Sequence, residues 1–329
     1  MRADGLAKVV VLGSGSAGLR HAAVVRQLPH TEVSVVPIRP ERAPELHANG
    51  WRTHASLDDA VGWGASHAII ATDTARHPSD ATAALSNGLD VLIEKPMAAD
   101  ARAGRDVCDH AKAHNRRLAV GCTLRFSDSL GVFAQRVQDL GALHAVRIEC
   151  RSYLPDWRPS RRYQDSYSAR ADEGGVLRDL IHEIDYAGWL FGWPAALSAR
   201  LRNTGRLGIE SEELADLSWV TPSGAALTIS LDYLTRPARR SLCAYGQHGS
   251  VVWDAIAQTV TTTIDGRARV DASTQTRDEM FTAQDAAFVS GNDADAKLAS
   301  GADGVRALAI CDAARRSSAK GAEEPVGYP

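Results

Sequence analysis

A Gly-x-Gly-x-x-Gly turn close to the amino terminus, made by Gly13, Gly15 and Gly18, constrains the fold of this chain more than any other feature. It follows the apolar residues 9–12 and leads directly into a segment with helical character. Such a turn allows a tight bend, a close approach of backbone to a pyrophosphate, and close packing of a helix on a strand. The helix N-terminus that follows offers unpaired N–H groups to an anion. Residues 8–28 therefore predict a strand–turn–helix unit that binds a dinucleotide.

The next hundred residues alternate between short apolar runs and helical segments. We expect strands at residues 31–38, 67–72, 91–93 and 117–121. We expect helices at residues 40–49, 57–61, 78–87 and 101–115, the second of them capped by Ser56. This alternation predicts a doubly wound parallel sheet, in which ligands bind at the carboxyl ends of the strands. Thr72 and Lys95 lie at two such ends.

The end of the second predicted strand bears on the choice of nucleotide. In NAD-binding folds an acidic side chain at this point accepts hydrogen bonds from the adenosine ribose. Glu32 lies too early in the strand for that role, and the end itself reads Val-Pro-Ile-Arg. Arg39 and Arg42 can meet a 2′-phosphate, which favours NADP over NAD, unless both arginines are simply solvated surface.

After residue 127 the pattern changes to the short alternating runs that are typical of half-buried antiparallel strands. They cover residues 141–152, 217–221, 226–233, 241–245 and 251–253, with helices expected at residues 176–190 and 301–317. The chain has 329 residues, enough for two domains. We expect a dinucleotide-binding domain over residues 1–123 and a substrate-binding and oligomerisation domain over residues 124–329, with the late helix packing back on the first domain.

Charge and cysteine content exclude several classes of protein. With 37 basic and 40 acidic residues the net charge is -3, so no overall field favours nucleic acid or an anionic membrane. The five cysteines are widely spaced and form no Cys-x-x-Cys pair, which argues against a disulfide framework and a zinc site. The chain starts without a long apolar segment, and no apolar run approaches the ~18 residues of a membrane span. We therefore expect a cytoplasmic protein.

Several motifs in this order resemble those of the Gfo/Idh/MocA oxidoreductases, and the similarity covers nearly the whole chain. The motifs are the glycine turn, Ala71-Thr72 with His77, Glu94-Lys95-Pro96, Gly121 with Arg125-Phe126, Gly174-Gly175 followed by Asp179, His182 and Asp185, and the Gly246/Gly249 turn. The resemblance implies a Rossmann domain followed by an α/β domain with an open antiparallel sheet. It also implies hydride transfer between a nicotinamide and, commonly, a sugar or cyclitol carbon.

The resemblance also implies which residues bind the cofactor and which perform the chemistry. The expected cofactor-binding residues are Gly13, Gly15, Ser16, Ala17, Gly18, Arg39, Thr72, His77, Glu94, Lys95 and Arg125. Moving a hydride to or from a carbinol carbon requires a proton donor or acceptor on the oxygen. His182 suits that role, since an imidazole has an ordinary pKa of about 6.5. Lys95 can stabilise a developing alkoxide, and Asp179 can orient either of them.

The spacing of the aspartate and the histidine departs from the family pattern, which places them four residues apart. Here Asp179 and His182 are three apart. Anchoring an alignment on the preceding glycine pair keeps Asp179 and puts Glu183 where the histidine belongs. Anchoring it on the following residues restores His182 and puts Arg178 where the aspartate belongs. Because positions three and four apart share a helix face, a bulge or a shifted helix start can preserve the pair. No second histidine follows four residues after His182, so the His-Glu pair does not indicate a metal site.

The segment before this helix, residues 153–170, is rich in aromatic and arginine side chains. They are Trp157, Tyr163 and Tyr167 among Arg158, Arg161, Arg162 and Arg170. Aromatic faces suit the apolar faces of sugar rings, and arginines suit a carboxylate or a phosphate. We expect substrate contacts from Lys95, Trp157, Arg158, Tyr163, Tyr167 and His182. The alternative is an exposed loop with ordinary solvated arginines.

Two other functions stay open at this point. One is a protein that binds NAD(P) as a sensor or scaffold and has lost turnover, which the altered spacing makes conceivable. The other is a reductase of an imine or a non-sugar ketone. The open face of the antiparallel sheet predicts a homo-oligomer, dimer or tetramer, because an uncovered apolar face tends to become an interface.

Overall fold

The computed structural model of this protein describes residues 6–159, 162–291 and 297–328. The chain divides into two compact units. The first unit consists of Met1–Phe126 and Thr276–Val305, and the second unit of Ser127–Gln275 and Arg306–Pro329. Each unit is described by itself below.

The strands and helices of the described residues are numbered here in chain order. The strands are β1 (Ala7–Leu12), β2 (Thr31–Val36), β3 (His67–Ile70), β4 (Asp90–Ile93), β5 (Leu118–Val120), β6 (Leu143–Tyr153), β7 (Ala196–Arg202), β8 (Leu214–Val220), β9 (Ala226–Asp232), β10 (Leu234–Gly246), β11 (Gly249–Asp254), β12 (Thr259–Ile264), β13 (Arg267–Ala272), β14 (Ala299–Ser300) and β15 (Glu324–Pro325). The α-helices are α1 (Ser16–Val25), α2 (Ala43–Ala48), α3 (Leu57–Gly62), α4 (His77–Ser86), α5 (Ala101–Ala113), α6 (Asp128–Val137), α7 (Val176–Asp179), α8 (Ile181–Phe191), α9 (Arg277–Ser290) and α10 (Gly301–Lys320).

The first unit is built on a six-stranded sheet of order β14-β5-β4-β3-β1-β2. Its strands β1 to β5 are parallel, and only the short β14 is antiparallel to its neighbour. Their apolar side chains are buried on both faces, as expected for a parallel sheet covered by helices. The core includes the valines of β1 and β2 together with Phe288 of α9.

The second unit is built on a nine-stranded sheet of order β13-β12-β11-β10-β6-β9-β8-β7-β15. All of its neighbours are antiparallel except β6 and β9, which are parallel. Burial alternates along most of its strands, for example in β8, where Ala215, Leu217 and Trp219 are buried and the residues between them are exposed. This alternation means that one face packs into the unit and the other is left open. The predicted fold class is therefore confirmed.

Most predicted elements of the first half occur within a few residues of their expected bounds. The Ser56 side chain accepts a hydrogen bond from the Asp59 N–H, so the predicted cap of α3 is confirmed. The predicted helix over residues 40–49 is a 3-10 turn, Pro40–Arg42, followed by α2. Helices α6 and α9 and strands β7, β12 and β13 were not predicted. None of the described helices has both the length and the apolar character needed to cross a lipid bilayer.

The predicted single helix over residues 176–190 is wrong in one respect, because the structure divides it into α7 and α8 at Leu180. Leu180 has φ -100° and ψ 32°, which is outside the helical region. Asp179 therefore ends one helix, and His182 lies in the first turn of the next. The Asp179 and His182 side chains are therefore not related as two positions on one continuous helix would be.

Candidate functional site

The carboxyl ends of the parallel strands in the first unit lie level with each other. The ends of β2, β1, β3, β4 and β5 are paired in register, at Val36, Leu12, Ile70, Ile93 and Val120. The residues after β1, β3, β4 and β5 continue the pairing, since Gly13, Ala71, Glu94 and Gly121 each donate a backbone N–H to a carbonyl oxygen of the neighbouring strand. The carboxyl-terminal edge of this sheet, formed by the strand ends, therefore brings together the glycine turn, the loop after β3 that contains Thr72, and the Glu-Lys-Pro turn.

The glycine turn has the geometry that a dinucleotide requires. Gly13 has φ +106°, and a Cβ there would lie 2.4 Å from the Ala71 carbonyl oxygen. A Cβ on Gly18 would lie 2.0 Å from the Gly13 carbonyl oxygen, so α1 packs directly on the turn. Around Gly15, in contrast, a Cβ would meet no described atom within 4 Å. The α1 N-cap is Gly15, which has no side chain to cap the first turn, so that end of the helix suits a pyrophosphate.

These differences predict separate effects for two alanine substitutions. Gly18→Ala should destabilise the fold by about 1–3 kcal/mol, because backbone must move to admit the methyl group. Gly15→Ala should lower the melting temperature only slightly, since its φ of -75° suits alanine but alanine is a poorer N-cap than glycine. It should nevertheless weaken NAD(P)H binding by about 10-fold or more, because the methyl group takes the place of the pyrophosphate.

Differential scanning fluorimetry and nicotinamide fluorescence titration measure the two effects. Gly62→Ala is the matched control, because a Cβ there also meets no described atom within 4 Å and the residue lies in α3, away from the turn. Wild-type cofactor affinity in Gly15→Ala would contradict the placement of the pyrophosphate.

The loop after β3 is tied to the Glu-Lys-Pro turn by His77. This side chain is buried, and its two ring nitrogens lie 2.9 Å from the Pro96 carbonyl oxygen and 3.0 Å from the Thr72 carbonyl oxygen. Burial lowers the pKa of His77 in spite of these carbonyl partners. The Thr72 hydroxyl donates to Asp80, 2.8 Å away. Both predicted cofactor-binding residues therefore have partners that fix the loop, and their contact with a cofactor stays a prediction.

Glu94 is held on both of its carboxylate oxygens. Its Oε1 lies 2.9 Å from Nε2 of His21, and its Oε2 accepts the backbone N–H of Lys95 at 3.2 Å. Burial opposes ionisation of this carboxyl, but His21 outweighs it and lowers the pKa of Glu94. Lys95 itself is half-buried at the edge formed by the strand ends. The structure thus brings the predicted residues of the glycine turn and of the Glu-Lys-Pro turn to one edge.

The three predicted arginines of the first unit occupy different environments. Arg39 is exposed, after the end of β2. Arg42 reaches the glycine turn, where Nη1 donates to the Ser14 carbonyl oxygen. Arg125 is buried at 2 % exposure, with Nη1 3.3 Å from Asp303. Arg42 is therefore the arginine with a described contact to the turn.

In the second unit the predicted Asp179 is the centre of a buried cluster. It is 3 % exposed, and its Oδ2 accepts a hydrogen bond of 2.6 Å from the Tyr233 hydroxyl. Its charge is also the main cause that raises the pKa of Tyr167. Two phenol groups thus fix the carboxylate at the end of α7, and His182 follows as a half-buried side chain in α8.

The two alternative residues of the shifted alignments are both engaged in holding the fold. The Arg178 guanidinium donates to the carbonyl oxygens of Ala171 and Gly174, at 3.2 and 3.3 Å. Glu183 is fully buried and receives two hydrogen bonds from Arg240, at 2.7 and 3.2 Å. Asp179 and His182 are therefore better candidates for the chemistry than Arg178 and Glu183.

The predicted substrate segment, residues 153–170, is part of the second unit and is partly held by contacts within it. The Tyr163 hydroxyl donates to the Leu207 carbonyl oxygen at 3.0 Å. Trp157 is 37 % exposed and packs edge-on against Tyr233, with ring centroids 5.4 Å apart. Arg158 is exposed, and Arg161 lies outside the described residues. Trp157 is thus connected with Asp179 through Tyr233, and Tyr167 interacts with Asp179 directly. Tyr163 instead contacts the loop that contains Leu207.

Four residues in or next to the predicted site were not singled out from the sequence. His21 contacts Glu94, and Asp285 in turn contacts His21. Tyr233 contacts Asp179, and Arg240 contacts Glu183. His21, three residues after Gly18, is a histidine on an apolar helix face, which is the only signal available. Its two partners come from distant segments, so the sequence alone offers no way to pair them.

Comparison with known protein families matches both halves of the chain. Residues 7–122 match the family described as "Oxidoreductase family, NAD-binding Rossmann fold". Residues 135–252 match the family described as "GFO/IDH/MocA C-terminal domain". Together the two matches cover most of the chain and agree with the resemblance drawn from its motifs.

One curated relative is the inositol 2-dehydrogenase of Leifsonia xyli subsp. xyli, which is 31% identical over 197 residues. That alignment covers 57% of this chain and 55% of the relative, so the chain spans little more than half the length of that protein.

Two of the solved structures that share the fold match almost the full length of the chain. A levoglucosan dehydrogenase in complex with NADH has a TM-score of 0.86 and 18% identity, with 98% of this chain and 100% of that chain covered. The WlbA dehydrogenase of Bordetella pertussis, in complex with NADH and UDP-GlcNAcA, has a TM-score of 0.83 and 20% identity, with 99% of each chain covered. At such identities these similarities establish the fold.

Proposed function

This chain belongs to the Gfo/Idh/MocA family of oxidoreductases, and from that premise we propose that it transfers a hydride between NAD(P) and the hydroxyl or ketone carbon of a sugar, nucleotide sugar or cyclitol. The observation that carries the proposal is the register of the parallel strands. It places the glycine turn and Lys95 at one edge of the sheet, where ligands of such sheets bind. A bound nicotinamide would supply the acceptor or donor of the hydride.

Lys95 is proposed to act on the substrate oxygen. An ammonium group next to a carbonyl or alkoxide oxygen stabilises the negative charge that develops there during hydride transfer. The backbone of Lys95 is fixed by the Glu94 carboxylate, so the side chain extends from a rigid turn. A rigid backbone at this residue limits the reorganisation that the side chain needs to reach the substrate oxygen, and little reorganisation is the condition for an effective electrostatic catalyst.

His182 is proposed as the residue that accepts or donates the hydroxyl proton. Imidazole exchanges protons near neutral pH, which suits reversible chemistry at a secondary alcohol. Asp179, held by Tyr233, is proposed to orient His182. In the second unit Trp157, Arg158, Tyr163 and Tyr167 are proposed to contact the substrate, with Arg158 favouring an anionic sugar.

The proposed function is tested by cofactor titration followed by a turnover assay. We expect the purified protein to quench or shift NAD(P)H fluorescence, and to form NAD(P)H from at least one compound in a panel of inositols, aldoses, sugar acids and UDP-sugars. Failure to bind either dinucleotide would refute the proposal. Binding without turnover would favour a sensor or scaffold, and activity confined to imines or non-sugar ketones would favour a different reductase.

We further propose that the cofactor is NADP in preference to NAD. The end of β2 carries no acidic side chain, and Arg42 contacts the glycine turn through Ser14. Arg42→Ala should weaken NADPH binding by about 10- to 100-fold, since hydrogen bonds to charged groups are worth about 1.5–3 kcal/mol, and should leave NADH binding unchanged.

Fluorescence titration with both dinucleotides measures this effect, and the exposed Arg102→Ala on α5 is the matched control. If Arg42→Ala weakened the binding of NADH and NADPH equally, Arg42 would only support the glycine turn and would have no contact with the 2′-phosphate. Tighter binding of NADH by the wild-type protein would exclude the preference for NADP.

We also propose a homo-oligomer that forms through the open face of the nine-stranded sheet. A row of half-exposed or exposed side chains in register crosses this face from β12 to β8: Thr261, Val252, Cys243, Arg147, Thr228 and Ser218. This row is more polar than the apolar face expected from the sequence, with Val252 and Cys243 as its apolar members. The proposal therefore rests on the small size of these side chains other than Arg147, which lets a second flat surface approach closely. Light scattering should show a dimer or tetramer for the wild-type protein and a monomer for Cys243→Arg. Ala48→Arg on α2 is the control, and a monomeric wild-type protein at micromolar concentration would refute the proposal.

A cytoplasmic location is proposed from the cysteines, all five of which are free thiols. Cell fractionation tests it, and recovery of the protein in an extracytoplasmic fraction would contradict it.

A further inference from the structure

His21 lies inside the first unit between two carboxylates from distant parts of the chain. Its Nδ1 is 2.8 Å from Oδ2 of Asp285 on α9, and its Nε2 is 2.9 Å from Oε1 of Glu94. The imidazole is fully buried, and the Phe281 ring packs edge-on against it with centroids 4.9 Å apart. The side chain is therefore shielded from solvent, and its two ring nitrogens face these two acids.

The chemistry of the contacts requires a particular protonation state. Ionised carboxylates only accept hydrogen bonds, whereas a neutral imidazole has a single N–H. Two carboxylate contacts therefore call for the imidazolium, which donates from both nitrogens. Burial opposes the charged form, but Asp285 and Glu94 outweigh it and raise the pKa of His21 to about 10.

The contacts continue on both sides of the imidazole. Asp285 also accepts from Gln284 Nε2 at 3.3 Å, and Gln284 Oε1 accepts the Thr123 hydroxyl at 3.1 Å. On the other side, the second oxygen of Glu94 accepts the Lys95 N–H. The charged or titratable groups that act on His21 or Glu94 are Asp285, Lys95 and His77. The guanidinium groups of Arg20 and Arg277 lie over the Phe281 ring, 5.6 and 5.8 Å from its centroid.

We propose that His21 is a positioning residue for Lys95 and that it acts through Glu94. Its imidazolium would be a permanently charged link between α1, α9 and the Glu-Lys-Pro turn. The imidazolium holds one oxygen of Glu94 and thereby directs the other to the Lys95 backbone. Its positive charge also offsets the carboxylate next to the lysine. This inference rests on the proposed role of Lys95 in hydride transfer, so its test includes readouts that do not need turnover.

The first measurement concerns the charge of His21 in the complete wild-type protein. NMR of ¹⁵N-labelled histidine side chains, with the His21 signals identified by their loss in His21→Gln, should show both ring nitrogens protonated up to at least about pH 9. Asp285→Asn should lower this titration toward the ordinary range, because it removes one of the two stabilising charges. Titration of the wild-type His21 near pH 6.5 would overturn the proposal, whether or not the protein is a dehydrogenase.

The stability contributed by His21 has a defined pH window. Because the folded-state pKa of about 10 is higher than the ordinary value of 6.5, the contribution is complete below about pH 6.5 and is lost as pH rises toward 10. The difference in melting temperature between wild type and His21→Gln should therefore shrink over that range. A difference that stays constant from pH 6.5 to 10 would contradict the charged link.

A kinetic measurement separates positioning from a merely structural role. His21→Gln should lower kcat by up to about 100-fold and change its pH profile, because a small displacement of a catalytic group has effects of that size, while NADPH affinity stays close to wild type. Arg20→Ala is the matched control and should keep wild-type kcat. It removes the surface ion pair between Arg20 and Asp278, 2.8 Å long, which joins the same two helices.

The reactivity of Lys95 provides the readout if the wild-type protein has no turnover and the proposed function fails. Acetylation of Lys95 by acetic anhydride, followed by mass spectrometry over a pH series, should shift to higher pH in His21→Gln, because a nearby positive charge is lost. The positioning role would be overturned if a folded His21→Gln variant kept the wild-type kcat and pH profile. If the protein has no turnover, an unchanged pH midpoint of Lys95 acetylation in this variant would overturn it.

Discussion

Lys95→Ala is expected to lower kcat by about 100- to 1000-fold, the usual cost of removing one group that stabilises a developing oxyanion. The affinity for NADPH should fall much less than kcat, because Lys95 is only one of the expected cofactor-binding residues and the glycine turn and α1 are untouched. KM for the substrate should rise less than kcat falls, since the ammonium is needed mainly in the transition state. Steady-state kinetics on the substrate found in the panel, together with fluorescence titration, measure both quantities.

Two further variants make the Lys95 result interpretable. Lys95→Arg keeps the positive charge but replaces a compact ammonium with a planar guanidinium, so only partial activity is expected. Lys112→Ala removes an exposed lysine in the last turn of α5 and should keep wild-type kinetics. A Lys95→Ala variant with wild-type kcat would show that the lysine has no part in the chemical step.

His182→Asn is expected to have the other large effect, a loss of about 100- to 10,000-fold in kcat, which is the range attributed to a general acid or base. The asparagine is similar in size and remains polar, so the start of α8 should fold unchanged. The wild-type pH profile of kcat should contain an ionisation that is absent from the variant, because the proton carrier is gone. Kinetics between about pH 5 and 10 measure this difference.

The matched control for His182 is His144→Asn, which changes an exposed histidine of β6 in the same unit. It should keep both the rate and the pH profile. Should His182→Asn lose activity but retain every ionisation of the wild-type profile, the proton would have to be carried by a different group.

The first unit is predictable from the sequence because its signals are local. A parallel strand is an apolar run, and the turns between strands and helices use glycine, proline or a capping residue such as Ser56. The glycine turn and the Glu-Lys-Pro turn follow strands that the pattern identifies directly. The second unit is harder to predict, since β12 consists largely of threonines with no clear alternation between apolar and polar residues.

The break at Leu180 illustrates what a helical pattern alone misses. Residues 176–190 have the composition of one continuous helix, yet Leu180 leaves the helical region between the two candidate catalytic residues. Gly174 and Gly175 are tightly enclosed before α7, where a Cβ would lie 2.2 Å from the Tyr167 carbonyl oxygen and 2.3 Å from a Glu212 carboxylate oxygen. These contacts fix the start of α7 independently of α8, so the unusual Asp-His spacing is a property of two short helices.

The sequence by itself determined the dinucleotide-binding turn, the parallel sheet behind it and the family, because each depends on residues that are close together along the chain. Only the tertiary structure decided how the charged groups are paired. His21 and Asp285 are 264 positions apart, and Tyr233 and Asp179 are 54 apart. A buried charge needs a partner wherever the fold brings one, and no local pattern encodes that partner. The glycine turn was therefore predictable, whereas the imidazolium that holds Glu94 beside Lys95 was not.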